Sequence, residues 1–228
     1  MSGIGPITGP VRPATYYEAV MSLPGLISWC RLGELVGIPT GYTARDLAMG
    51  NDGTITGSPA QGVAGLLVGD PNHCITTASG KYVSLPSGSR FTFAADFTLL
   101  AWVRTTDTGV QVITGRGTDT LYLGYVGGWS FNIPGGSGQF ADVAPSGVHM
   151  IAGVRRGSRV ELWRDAVIGG TVGTVTPAAL TGTALNIGRL AESGSYPFIG
   201  QVQDHAVWNR ALLPSELALL VAKGNGLP

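Results

Sequence analysis

From residue 26 onward the apolar positions come in short bursts cut by glycine-rich turns, not at helical spacing. The bursts are LISWCRLGE (26–34), KYVSLP (81–86), FTLLAWVRT (97–105), VQVITGRG (110–117), TLYLGYV (120–126) and WSFNI (129–133). A second group follows with VHMIAGVRR (148–156), RVELWRDA (159–166), ALNIGRL (184–190) and FIGQVQDHAVWN (198–209). They are rich in β-branched and aromatic residues, and many alternate apolar with polar, the period of a strand with one buried face. RRGSR (155–159) and RDAVIGG (164–170) have the composition of tight hairpin links. Thirty-six glycines in such a chain mark turns and bulges. The predicted class is all-β, a two-sheet antiparallel sandwich of jelly-roll type.

Three stretches depart from this pattern. PSELALLVAKG (214–224) puts Leu217, Leu220 and Val221 on one helical face, with Pro214 suited to the first turn and Gly224 to the C-terminal stop. Tyr16 to Ser22 reads as one short helical turn. Residues 1 to about 15 carry Gly3, Gly5, Pro6, Gly9, Pro10 and Pro13, which forbid a helix and predict an extended arm, partly polyproline II. Ile4, Pro6, Ile7, Pro10, Val11 and Pro13 suit an arm laid across a neighbouring subunit; a disordered tail is the competing reading. The expected organisation is an arm at 1–15, a sandwich at 16–212, and a helix with its tail at 213–228.

Charge narrows the function classes. Fourteen basic and fourteen acidic residues cancel, and no Lys/Arg cluster builds the basic face that nucleic acid requires. Charged residues are only 12%, against about 25% in ordinary domains. A chain so poor in charge is expected to cover surface against partners, as a homo-oligomer or in many copies. Only Lys81 and Lys223 are lysines; the other cations are Arg, the one favoured at interfaces. No apolar run approaches the roughly 20 residues of a membrane span. The first 20 residues lack the basic and apolar regions of a secretory signal. Cys30 and Cys74 are either bridged or two buried thiols, and no CxxC supports a thiolate metal site.

The ending PFIGQVQDHAVWNRALLPSELALL resembles the close of LamG-like jelly-roll domains of the concanavalin A-like lectin/glucanase superfamily. Other pieces fall in that family's order: Tyr17 to Val20 with LISWCRLGE, DLAMGNDGTITG (46–57), YVSLP, FTLLAWVR, VHMIAGVR, VELWRDA and ALNIGR. The resemblance spans about residues 16 to 222. It implies two antiparallel sheets packed face to face, with a concave and a convex side. In WCRLGE, Trp29 and Cys30 occupy an aromatic pair of the family, so Cys30 is expected to pack as a small hydrophobe. A leading Y-x-x-x-V with a WRLGE-like strand is similar to components of tailed-bacteriophage particles. The implied function is a non-enzymatic virion protein, tail-associated or fibre-like, anchored to other virion proteins by its arm and contacting surface glycans. A capsid-decorating role and a free carbohydrate-binding module are the alternatives.

Relatives also include glucanases, so carboxylate pairs matter. Glu161 and Asp165 share a strand face with Trp163, but four extended residues separate Cα atoms by roughly 13 Å. Retaining hydrolysis needs carboxyls about 5 Å apart and inverting hydrolysis about 6.5–9.5 Å. Hydrolysis is not expected. The resemblance also implies a calcium ion near the rim, with Asp46, Asn51, Asp52 and Asp204 as its oxygen donors. The turn from Asp46 to Gly53 is one residue short of the family spacing, and Gln203 stands where the family has an acid. Both departures disfavour a metal, and no other cofactor is implied. His149 is read as hydrogen-bonded and structural, and His205 as standing in for an apolar strand residue. Sugar faces stack on aromatic rings. Trp102 and Trp208 sit in strongly apolar strands and are read as core. Trp129, Trp163, Tyr122 and Tyr125 remain as carbohydrate-binding candidates, with packing at a subunit contact as the alternative.

Overall fold

A computed structural model of the chain describes residues 13–34, 43–117, 121–140, 146–176, 180 and 184–227. The first half runs α1 (Tyr16–Ser22), β1 (Leu26–Cys30), β2 (Thr43–Ala44), β3 (Gly53–Thr56), β4 (Ala60–Val63), β5 (Cys74–Thr77), β6 (Tyr82–Leu85) and β7 (Phe97–Arg104). Next come β8 (Gln111–Gly115), β9 (Tyr122–Tyr125), β10 (Trp129–Ile133) and β11 (Gly136–Gln139). The remainder is β12 (Val148–Arg156), β13 (Arg159–Arg164), β14 (Val167–Ile168), β15 (Gly173–Thr174), β16 (Leu185–Ile187), β17 (Gly200–Trp208) and α2 (Pro214–Gly224). Of the expected arm only its last residues are described; Ile4, Pro6, Ile7, Pro10 and Val11 lie outside the described residues.

Among the described residues the strands form two antiparallel sheets. The nine-stranded sheet runs β14-β13-β12-β7-β17-β5-β4, with β1 on β17 and β15 on β13. The eight-stranded sheet runs β11-β10-β9-β8-β16-β6-β3-β2. Alternation decides what lies between them. Phe97, Leu99, Ala101 and Val103 of β7 meet Leu123, Tyr125, Trp129 and Phe131 of β9 and β10 in one apolar core. The jelly-roll sandwich expected from the sequence is therefore present.

A third layer adds to it. The alternate residues Leu100, Trp102, Met150, Ala152 and Trp208 are equally apolar, so the nine-stranded sheet buries both faces. Its outer face is covered by the two helices, through Tyr16, Ala19 and Val20 of α1 and Leu217 and Leu220 of α2. Thr15 caps α1, and Glu18 returns its carboxylate to the Thr15 N–H, a reciprocal cap that stabilises so short a helix. The indole N–H of Trp102 donates to the Tyr16 hydroxyl at 3.1 Å, tying α1 to the sheet.

Gly224 has a different role from the one its sequence suggests. It lies inside α2, not beyond it, and a Cβ there would fall 2.1 Å from the Trp102 indole. The glycine allows close approach to a tryptophan; the left-handed residue after the helix is Gly226. Both hairpin links are present. Gly157 turns β12 into β13 at φ 58°, and Asp165 and Ala166 turn β13 into β14 at 50° and 62°. Neither helix is long and apolar enough to cross a membrane.

Candidate functional site

Among the described residues no helix covers the outer face of the eight-stranded sheet. There, β8 and β9 carry a cleft of about 330 Å³ lined by Val110, Val112, Gly117, Tyr122, Val126, Leu190 and Tyr196. That volume is at the small end of the range for ligand clefts, roughly 300–1,000 Å³. Leu121, Leu123 and Tyr125 point inward, so Tyr122 must point out. Two glycines bring β8 and β9 together: a Cβ on Gly124 would lie 2.3 Å from the Gln111 carbonyl, and one on Gly115 2.6 Å from that of Leu121. The other wall comes from the loop after β16, which folds back along β8. The Ala191 N–H donates to Gly115 O at 3.2 Å and the Val112 N–H to Tyr196 O at 2.9 Å.

Tyr196 is half exposed, and its backbone is left-handed at φ 54°. Strain of that kind in a non-glycine residue persists only where the surroundings enforce it, and it concentrates at binding sites. Neither Tyr122 nor Tyr196 has a hydroxyl hydrogen bond to another described residue. The cleft thus offers two rings, an aliphatic floor and two hydroxyls.

Among the four aromatics named from sequence, only Tyr122 reaches this cleft. Trp129 and Tyr125 are each 1% exposed and edge-packed on one another with centroids 5.6 Å apart, so they are core and not a stacking platform. Register puts them there: they share the inward face with Leu123 and Phe131, which overturns their reading as sugar-stacking rings. Trp163 is also buried, on the helix-covered side, and its indole donates to Glu161 Oε2 at 3.1 Å. Tyr196 went unremarked because it sits in a loop with no periodicity, although an aromatic flanked by Gly194, Ser195 and Pro197 is a signal for exposure.

The carboxylates are committed elsewhere. Glu161 is buried and faces Arg156 and Arg159, each at 3.5 Å, while Asp165 accepts from the Met150 N–H and touches His149 Nδ1 at 2.6 Å. His149 meets the Ser146 carbonyl with its other nitrogen, and the hydrogen bond to Asp165 raises its pKa. The calcium candidates do not converge. Asp46 accepts from the N–H groups of Trp29 and Ala48, Asp52 accepts from that of Asp46, and Asn51 donates to Met49 O. Asp204 accepts instead from Arg31 and the Trp29 indole. Among the described residues no three His, Cys, Asp or Glu side chains are placed to hold a metal ion. Cys30 and Cys74 are both free thiols, buried, with pKa values raised by that burial.

WCRLGE carries a charge latch that the sequence did not announce. Arg31 donates Nε to Asp204 Oδ1 at 3.0 Å and Nη2 to Asp70 at 2.5 Å. Asp204 also accepts from the Trp29 indole at 3.0 Å. It sits at a bulge in β17 with φ 52°, and burial pushes its carboxyl up to about 7 against the pull of Arg31.

The next residue, His205, is fully buried in β17 opposite Cys30 with both ring nitrogens unpaired among the described residues, and burial drives its pKa down to about 3. An unpaired buried polar group costs about 1–3 kcal/mol, so His205→Leu is expected to raise stability by about 1 kcal/mol at pH 7. The folded-state pKa lies below the unfolded value of about 6.5, so the wild type loses stability as pH falls from there toward 3. The gain from His205→Leu therefore grows on acidification, which urea denaturation at pH 7 and pH 5 would show. A variant less stable than the wild type at both pH values would contradict this.

Comparison with known proteins agrees with the architecture. The family model Laminin_G_3, of the concanavalin A-like lectin/glucanases superfamily, matches residues 77–218, more than half the chain. No curated protein sequence matches. Among solved structures, Trypanosoma rangeli sialidase superposes with a TM-score of 0.59 at 16% identity, over 90% of this chain and 34% of the sialidase. A structure concerned with botulinum neurotoxin type C and its interaction with two ganglioside molecules gives a TM-score of 0.62 at 9% identity, over 88% of this chain and 52% of that one. The chain thus spans about a third of the sialidase and about half of the second structure's chain. With its two antiparallel sheets and this match, the chain belongs to the concanavalin A-like lectin/glucanases superfamily.

Proposed function

We propose that this chain is a non-enzymatic, glycan-contacting component of a bacteriophage particle, tail-associated or fibre-like. The observation that carries the glycan reading is the Tyr122–Tyr196 cleft, one half-exposed and one partly buried ring over an aliphatic floor on a face of a lectin-type sandwich that no described helix covers. Structural neighbours concerned with sialic acid and gangliosides support it at the level of the fold. The commitment of Glu161 and Asp165 to arginine, tryptophan and histidine partners supports a binding role over hydrolysis.

The particle setting is supported by the resemblance at Tyr16 to Val20 and at WCRLGE, and by a second surface. Where the arm enters α1, a depression of about 530 Å³ is lined by Thr15, Tyr17, Arg31, Val68, Asp70, Lys223 and Leu227. Tyr17, Val68 and Leu227 are exposed apolar residues there, as a protein-contacting end would require. Anchoring at this end directs the cleft outward. Capsid decoration uses the same two surfaces and differs only in location.

A glycan array probed with the purified chain tests the binding role. Binding is expected, and Tyr122→Ala or Tyr196→Ala should each weaken it about ten-fold, the equivalent of about 1.4 kcal/mol. Full binding by both variants would reject the cleft. Mass spectrometry of purified particles should detect the chain; its absence from them would reject the virion setting.

A further inference from the structure

We infer that the Tyr122–Tyr196 cleft selects uncharged pyranoses and that Glu192 at its rim turns acidic sugars away. This rests on the glycan reading above and adds the substrate class. All seven lining residues are neutral, so among the described residues the lining itself offers an acidic sugar no charge to neutralise its carboxylate. The cations nearest in sequence are each held in place by the fold. Arg116 is fully buried and donates to the Phe91 carbonyl at 2.7 Å. Arg189, just before the cleft loop, lays its guanidinium 3.4 Å from the Tyr82 ring centroid, and the Asn186 side-chain oxygen accepts its Nε–H at 3.2 Å.

Among the described residues, the charged side chain bonded to a lining residue is negative. Glu192 Oε2 accepts the N–H of Gly117, a lining residue, at 2.6 Å. That hydrogen bond fixes a carboxylate at the mouth, where it repels a uronate or sialate. Glu192 is solvent-exposed, so the repulsion is modest and screened by salt. The rings and aliphatic floor still accept the apolar face of a neutral hexose.

The test uses oligosaccharide pairs that differ only by a hexuronate in place of a hexose, or by a terminal sialic acid. The full chain should bind the neutral member about five-fold more tightly in low salt, with the ratio shrinking in high salt. Glu192→Gln keeps an acceptor for the Gly117 N–H and should bring the ratio close to one. Val126→Arg, at an exposed lining position, should reverse the preference whatever the effect of Glu192→Gln on the loop. Equal or tighter binding of the acidic member by the wild type would overturn the inference and leave the glycan reading standing. A ratio unchanged in Glu192→Gln would overturn the role given to Glu192. Binding of neither member of any pair would remove the glycan reading, and this inference with it.

Discussion

Arg31→Met is expected to cost about 3–5 kcal/mol of stability at pH 8, the range for stripping one partner from a buried ion pair. The guanidinium serves Asp204 and Asp70 together, and Asp204 is completely buried. Without it the ionised Asp204 keeps only the Trp29 indole as a side-chain donor. The pH dependence identifies the mechanism. In the wild type the Asp204 carboxyl is raised to about 7, above an unfolded value of about 3.9. Its proton therefore favours the fold most fully below about pH 4, and that stabilisation is lost as pH rises toward 7. Removing Arg31 raises the value further, so the loss continues above pH 7. At pH 5 Asp204 is protonated with or without Arg31, and the variant should lose only about 2 kcal/mol, the hydrogen bonds to Asp204 and Asp70. Urea denaturation at pH 5 and pH 8 reads both numbers; an equal loss at the two would mean that the contact is not ionic.

Gly153→Val should destabilise by about 3 kcal/mol, roughly 6–12 °C in Tm for a domain of this size. Strand propensity alone argues the reverse, because valine is favoured in strands and glycine is not, by up to about 1 kcal/mol. The sign therefore distinguishes local preference from packing. Gly153 is in the middle of β12, paired with Leu99 on one side and Leu162 on the other, and its inward face meets the eight-stranded sheet. A Cβ there would lie 2.4 Å from the Phe131 ring. Phe131 is fully buried, edge-on to Phe97 at 5.9 Å, while Phe97 stacks on Phe93 at 4.2 Å. The ring has nowhere to move. A valine variant as stable as the wild type would mean that the sheets do not meet at Phe131 as described.

Gly153 also shows why parts of this molecule were legible in the sequence and others were not. The period of VHMIAGVRR identified a strand, but a glycine's obligation to a ring in the opposite sheet is a long-range fact. The long strands β7, β12, β13 and β17 and the helix α2 announced themselves through length and pattern, and they form the sheet that holds the core. The two-residue strands β2, β14 and β15, and the four-residue β3, β4, β5 and β11, are too short for any periodicity and exist because neighbours offer them partners. The helical layer was half visible. FTLLAWVR is apolar on both faces, a sign that something must cover the outer one.

Alternation with Leu121 and Leu123 in TLYLGYV sets Tyr122 on the opposite face and Tyr125 on theirs, so this pair is readable from the sequence. Tyr196 and Glu192 come from an irregular loop whose path is set by pairing with β8, which no local pattern encodes. The Arg31 latch joins residues from the β1 segment, the loop before β5 and the bulge of β17, and only the fold brings them together.

Hydrogen–deuterium exchange with a saturating glycan chosen from the array tests the central claim most directly. Protection confined to β8, β9 and the loop around residues 190–197 is the result this account predicts. Protection on the helices α1 and α2, with the cleft unchanged, would contradict it.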